Sequence, residues 1–174
     1  ALDAAQAALK RANINAEELD LIIVATVTPD MAFPATACLL QHRLGAQNAS
    51  AFDLEAGCSG FLYGLTIGCQ FVQNGTYNHV LIVGVDILSR ITNWQDRNTC
   101  VLFGDGAAAV ILGPCESGQG ILSTYLGSDG SGGSHLYLPA GGSRRPLDQL
   151  ALEQGLQYIH MNGPEVFKFA VRIM

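Results

Sequence analysis

Five cysteines, at positions 38, 58, 69, 100 and 115, are the strongest nucleophiles by type in this 174-residue chain, and one of them has neighbours that suit chemistry. Cys58 lies in Ala51-Phe52-Asp53-Leu54-Glu55-Ala56-Gly57-Cys58-Ser59-Gly60-Phe61, which reads as a strand, a tight turn of small residues and then a helix. At the first turn of a helix, unsatisfied N–H groups and the positive end of the dipole favour thiolate over thiol. Gly57 and Gly60 let the backbone bend sharply and let a substrate come close. The pattern is that of a nucleophile elbow built on sulfur instead of oxygen. The competing reading is a small buried hydrophobe, the usual state of a free cysteine. The other four cysteines are read that way, Cys100 being the most ambiguous because it stands beside a glycine loop.

A thiolate of this kind works with a base or with oxyanion donors. His42, His79, His135 and His160 are the histidines available, and none has a motif around it. No CxxC pair and no zinc-spaced Cys/His cluster occurs, so no metal site is expected and the thiols read as free in a reducing cytosol. Phe103-Gly104-Asp105-Gly106-Ala107-Ala108-Ala109 has neither the G-x-G-x-x-G nor the G-K-[ST] pattern, which excludes the dinucleotide and P-loop readings. Just upstream, Asp96-Arg97-Asn98 follows Trp94. An arginine beside an aromatic can stack on a base or hold a phosphate, and the competing reading is a surface ion pair.

These groups need elements to position them. Leu2, Ala5, Leu9 and Ala12 fall on one face of a helix over residues 1–12. Leu19 to Thr26 is an apolar run interrupted only by Asp20, as expected of a parallel strand buried on both faces. Phe33-Pro34 opens a helix through Leu44, with Gly45 past its end. Ala49 to Leu54 is a short buried strand, and Cys58 to Asn74 a helix apolar nearly all round and therefore central. His79 to Val85 and Ala107 to Leu112 are further strands. This alternation predicts an α/β fold with a parallel-dominated sheet. Residues 114–120 make the best internal boundary. Ile121 to Leu126 then begins a new strand, and 127–157 is a long loop with a hairpin around Leu136 to Leu138. A last helix starts at Asn162 or Gly163 and runs into Met174 uncapped, so the chain is expected to be a piece of a longer one.

Hydrophobic residues are 49% of the chain and charged residues 14%, which suggests surface meant for burial in a partner or in further chain. The net charge of -6 gives nucleic-acid binding no electrostatic support. No run approaches a membrane span. The opening segment lacks the basic leader of a signal peptide, which points to the cytoplasm.

In this order, Val24 to Ala37 (VATVTPDMAFPATA), Ala51 to Phe61 (AFDLEAGCSGF), Val83 to Arg90 (VGVDILSR), Trp94 to Ala109 (WQDRNTCVLFGDGAAA) and Gly163 to Met174 (GPEVFKFAVRIM) resemble the 3-oxoacyl-[acyl-carrier-protein] synthase III family. The likeness covers essentially the whole chain. It implies a thiolase-like layered α-β-α-β-α fold, incomplete in this chain: residues 1–117 would be an N-terminal half lacking its first strand and helix, and 118–174 the beginning of the C-terminal half. It implies that Cys58 takes an acyl group from acyl-coenzyme A and condenses it with malonyl-acyl-carrier protein, in a homodimer without a resident cofactor. By position, Phe33 would floor the partner's acyl pocket and Arg97 would stack on the coenzyme A adenine. Phe103, Leu136, Met161, Gly163 and Phe167 would line the acyl pocket and pantetheine channel, and Lys168 and Arg172 would dock the carrier protein. The family's catalytic His and Asn would lie beyond Met174. Gly57 and Ala108 depart mildly from the family, which often has alanine and glycine there. The alternatives are a hydroxymethylglutaryl-coenzyme A synthase, a polyketide-type synthase or a thiolase on the same fold, a non-catalytic binding or dimerisation module, and a cysteine hydrolase.

Overall fold

The computed structural model describes all 174 residues. They divide into two compact units, one of residues 1–86 and 106–126, the other of residues 87–105 and 127–174.

The first unit contains α1 (Leu2–Ala12), β1 (Leu21–Ala25), α2 (Thr36–Leu44), β2 (Ser50–Leu54), α3 (Gly60–Gln73) and most of β3 (Val80–Ile87) and β4 (Asp105–Leu112). Its sheet has the order β2-β1-β3-β4, and β1 pairs in parallel with both β2 and β3. The expected alternation of helix and parallel strand is therefore present. β1 is buried at every position, as its unbroken apolar run requires. Ile22, Val24, Leu81 and Val83 face Ala5, Leu9, Ala37 and Leu40 of α1 and α2. Leu21, Ile23, Val80 and Ile82 face Phe61, Leu65 and Phe71 of α3. Helices thus cover both faces of the sheet, and the crossovers β1-α2-β2 and β2-α3-β3 run on opposite sides of it.

Four expectations need correction here. α2 begins at Thr36, not at Phe33, because Asp53 on β2 caps it there through the backbone N–H groups of Thr36 and Ala37. α3 begins at Gly60, and Cys58 lies in the 3-10 turn Gly57–Ser59 that precedes it. Nor is α3 buried all round: Gly60, Gly64 and Gly68 alone are buried, and Leu62 is 59% exposed. The helix lays a stripe of glycines on the sheet, Phe61, Leu65 and Phe71 pack half-buried beside that stripe, and Leu62 points outward. Residues 121–126 form no strand, since no other strand pairs with their backbone.

In the second unit, β5 (Leu136–Tyr137) pairs antiparallel with β6 (His160–Met161) instead of closing a hairpin with its immediate neighbours. The sequence between them is not structureless. It holds α4 (Gln149–Glu153), capped by Asp148 and anchored by the buried Ala151. α5 (Gly163–Ile173) starts where expected, with Asn162 as its N-cap and a proline in its first turn.

Candidate functional site

The carboxyl ends of parallel strands are where α/β sheets place their sites, and Cys58 stands at one of them. β2 ends at Leu54, Gly57 turns in the left-handed region at φ 55, and the 3-10 turn carries Cys58 into α3. A Cβ on Gly57 would meet nothing within 4 Å, so the backbone conformation, not space, selects glycine there. The glycine at 60 has the other reason: its missing Cβ would lie 3.2 Å from Ala25 Cβ, at the end of β1. Phe61 is packed likewise against Gly84 of β3, 3.2 Å from the Cβ that residue lacks. The first turn of α3 is therefore pressed onto the ends of β1 and β3, and Cys58 projects exposed from its start. No hydrogen bond engages the thiol, which leaves it open to an electrophile.

Two acidic residues that sequence reasoning passed over complete this end of the sheet. Asp86, next to last in β3, accepts the N–H of Val27 at 2.9 Å and the hydroxyl of Thr26 at 3.2 Å. Asp53 accepts Thr36 N–H and Ala37 N–H at 2.7 Å each, one on each carboxylate oxygen. Their signal was legible in principle, as single carboxylates inside the apolar strands Phe52-Asp53-Leu54 and Val85-Asp86-Ile87. Phe33 belongs to the same unit and is 83% exposed.

The second unit gathers several of the remaining residues. Leu136 stands opposite Met161 across β5 and β6, and a Cβ on Gly163 would lie 3.7 Å from Met161 Cε. Asn162 donates its N–H to the His135 carbonyl at 2.8 Å, fixing the start of α5 to β5. Phe167 is 69% exposed one turn into α5, and Phe103 is half-buried on a separate segment.

Arg97 sits on a turn built by Asp96. The Asp96 carboxylate accepts Asn98 N–H at 3.0 Å and the Thr99 hydroxyl at 3.0 Å, and its carbonyl accepts Cys100 N–H at 3.0 Å. The backbone bond from Asn98, then the Thr99 hydroxyl, holds the Asp96 carboxyl below its ordinary value, with the charge of His160 on β6 adding to this. Ser89 likewise lowers Asp105 through its N–H and hydroxyl, at 2.8 and 2.7 Å. Arg97 itself is exposed and takes part in neither ion pair of the structure, so its guanidinium is available to a ligand. The basic residues of α5 are not free in this way. Lys168 pairs with Glu165 at 2.7 Å, and Arg172 with Asp129 at 3.6 Å.

No group of three or more His, Cys, Asp or Glu side chains is placed to hold a metal ion. No helix is long and apolar enough to cross a membrane.

Comparison with known proteins places this arrangement. The profile of the family described as 3-Oxoacyl-[acyl-carrier-protein (ACP)] synthase III matches residues 52–130, a span that holds Cys58, Arg97 and Phe103. The beta-ketoacyl-[acyl-carrier-protein] synthase III of Caldanaerobacter subterraneus is 60% identical over 174 residues, which is 100% of this chain and 53% of that protein. The enzyme of the same name from Symbiobacterium thermophilum is 56% identical over 174 residues, again 100% and 53%. The crystal structure of 3-oxoacyl-[acyl-carrier-protein] synthase III from Aquifex aeolicus superposes with a TM-score of 0.83 at 44% identity, covering 98% of this chain and 50% of that one. The chain spans about half the length of the curated relatives it matches.

Proposed function

From the premise that the chain belongs to the 3-oxoacyl-[acyl-carrier-protein] synthase III family, with the thiolase-like fold of that family, we propose that it is the nucleophile-bearing part of a condensing enzyme that starts type II fatty-acid synthesis. The observation that carries the reading is the exposed Cys58 thiol on a left-handed glycine turn, at the carboxyl end of a parallel sheet and the entrance of α3.

The Cys58 thiol gives up its proton and, as thiolate, attacks the carbonyl of an acyl-coenzyme A. The acyl-cysteine thioester forms and coenzyme A is expelled as thiolate, which takes up a proton in place of the one Cys58 released. Malonyl-acyl-carrier protein then loses CO2, and the carbanion left behind attacks the Cys58 thioester. The product is 3-oxoacyl-acyl-carrier protein, and Cys58 leaves as thiolate. Developing charge on the carbonyl oxygen needs preorganised donors, each worth roughly 100- to 1000-fold in rate. The resemblance assigns that task to a His and an Asn beyond Met174, so this chain supplies the nucleophile and part of the binding surface. Coenzyme A is a substrate here, and no resident cofactor is required.

Arg97, exposed and unpaired beside Trp94, suits a stacked adenine or a phosphate. Leu136, Met161, Gly163, Phe167 and Phe103 line the acyl and pantetheine path, and Phe33 enters the partner's pocket in a homodimer. The halves would meet near residues 117 and 118. Lys168 and Arg172 receive the acidic carrier protein, although Glu165 and Asp129 already offset part of their charge. The enzyme acts in the cytoplasm.

Intact-protein mass spectrometry after incubation with acetyl-coenzyme A tests the reading. A 1:1 acetyl adduct located on Cys58 by peptide mapping, and absent from Cys58→Ser, is expected. Reversible binding of coenzyme A with no adduct at any time point would instead establish a non-catalytic binding module.

A further inference from the structure

The segment from β1 to α2 has no regular structure, and residues 29–34 within it are all exposed, Phe33 most of all. A stretch so short of buried contacts would ordinarily be loose. Both of its ends are instead held by carboxylates on the two strands that flank β1.

At the start, Asp86 of β3 takes one donor from each of three successive residues: the Thr26 hydroxyl at 3.2 Å, Val27 N–H at 2.9 Å and the Thr28 hydroxyl at 3.4 Å. Thr28 N–H closes back on the Thr26 oxygen at 3.0 Å. At the far end, Asp53 of β2 holds Thr36 and Ala37, and the Thr36 hydroxyl oxygen accepts Asp30 N–H at 3.1 Å across the base of the segment. Asp53 and Asp86 are half-buried among apolar neighbours, where a carboxylate is costly unless its lone pairs are used. Hydrogen bonds to an ionised acceptor are about twice as strong as neutral ones, so the two anchors are far firmer than the ordinary ends of a loop. A projecting arm fixed beforehand loses less entropy when it docks.

We propose that Asp53 and Asp86 are positioning residues that clamp the 27–35 arm in one projecting conformation, and so set the starter-chain selectivity that Phe33 exerts. The selectivity half of this inference rests on the reading of Phe33 as a pocket residue. The clamp itself does not.

The test uses the full-length enzyme and four variants: Asp53→Asn, Asp86→Asn, Thr26→Val and Phe33→Ala. Asparagine keeps the shape but gives up the charge. At 53 it also loses one of the two oxygens that accept bonds, whereas at 86, where Oδ1 alone accepts all three, the charge is what goes. Thr26→Val removes one hydroxyl at nearly constant volume. Two quantities are read: amide hydrogen exchange over residues 27–37, and the ratio of kcat/KM for a two-carbon against a longer acyl-coenzyme A. In the clamp variants the exchange of Val27 (Asp86→Asn, Thr26→Val) or of Thr36 and Ala37 (Asp53→Asn) rises about tenfold, while α1 and α3 stay protected. The chain-length ratio shifts about three- to tenfold, in the direction that Phe33→Ala shifts it.

Unchanged exchange across 27–37 overturns the clamp. A uniform fall in rate for every chain length, with Phe33→Ala still shifting the ratio, overturns the positioning role. If Phe33→Ala and the clamp variants all leave the ratio unmoved, the pocket reading of Phe33 fails and faster exchange still establishes the clamp. Should Asp53→Asn not fold, Thr26→Val and Asp86→Asn decide the matter from the other anchor.

Discussion

Gly68 of α3 and Ile82 of β3 approach so closely that a Cβ on the glycine would stand 2.9 Å from Ile82 Cδ1. The same Cβ would lie 2.9 Å from Leu112 Cδ1 and 3.1 Å from Val80 Cγ1. One turn earlier, a Cβ on Gly64 would be 3.0 Å from Ile82 Cγ2, and another on Gly60 3.2 Å from Ala25 Cβ. Glycines four residues apart form a flat stripe along one face of the helix. This stripe sets the distance between α3 and the sheet, and with it the height of the Cys58 turn above the strand ends.

Substitution along the stripe tests that role. Alanine at 68 gains up to about 1 kcal/mol of helix propensity, which partly offsets the crowding of two flexible δ-methyl groups. Valine at 68 has no such relief, and overpacking of this kind costs about 1–3 kcal/mol. Thermal unfolding should therefore rank wild type at or slightly above Gly68→Ala, with Gly68→Val well below both. An unchanged midpoint for Gly68→Val would show that α3 does not rest on the sheet through this residue.

The α/β alternation was open to sequence reasoning because the strands are apolar on both faces. Leu21 to Ala25 can be little else than a central parallel strand. The Cys58 turn was legible too, since Gly57 and Gly60 flank it. What escaped depended on partners distant in sequence. α2 starts at Thr36 because Asp53, 17 residues on, caps it. β5 finds β6 across more than twenty residues, and no local pattern announces that pairing. α3 looked uniformly apolar because composition does not distinguish a stripe of buried glycines from an exposed face of Leu62. The putting-together of Leu136, Met161 and Gly163 was reached through family likeness alone, since a two-residue strand carries no periodicity of its own.

Gly57→Ala isolates the backbone contribution to the site. The residue is at φ 55 with open space around it, so alanine meets no clash and suffers only the left-handed conformation, at about 1–2 kcal/mol. The family that the chain resembles often carries alanine here, so the surrounding contacts should hold the turn against that strain. The unfolding midpoint should fall, while acyl transfer to Cys58 should be little changed. A large loss of acyl transfer at an unchanged midpoint would show that the turn relaxes and re-aims the thiol instead.

Arg97→Ala separates recognition of the nucleotide from the chemistry. Contacts of a guanidinium with an aromatic face are worth about 0.5–2 kcal/mol, so KM for acetyl-coenzyme A should rise several-fold. A truncated thioester that lacks the nucleotide should acylate Cys58 equally well in both proteins. If the truncated substrate is impaired to the same degree, Arg97 acts through the fold and not on the adenine or phosphates.

The Asp96 turn that presents Arg97 should also set an acid limit on binding. Asp96 lies below its ordinary value of 3.8, chiefly because Asn98 N–H and then the Thr99 hydroxyl favour its ionised form. A carboxyl lowered in the folded state gives its stabilisation in full above the unfolded value, and loses it as pH falls through the folded one. The turn should thus be intact throughout the neutral and mildly acid range, and open only below 3.8. The Asn98 amide resonance, followed by NMR against pH, should titrate with a midpoint under 3.8 and move little above it. In Asp96→Asn the charge is gone at every pH, so that titration should vanish and KM for acetyl-coenzyme A should rise as it does in Arg97→Ala. A midpoint at or above the ordinary value would show that the Asn98 and Thr99 bonds do not hold the turn in solution, and that Arg97 is presented by some other contact.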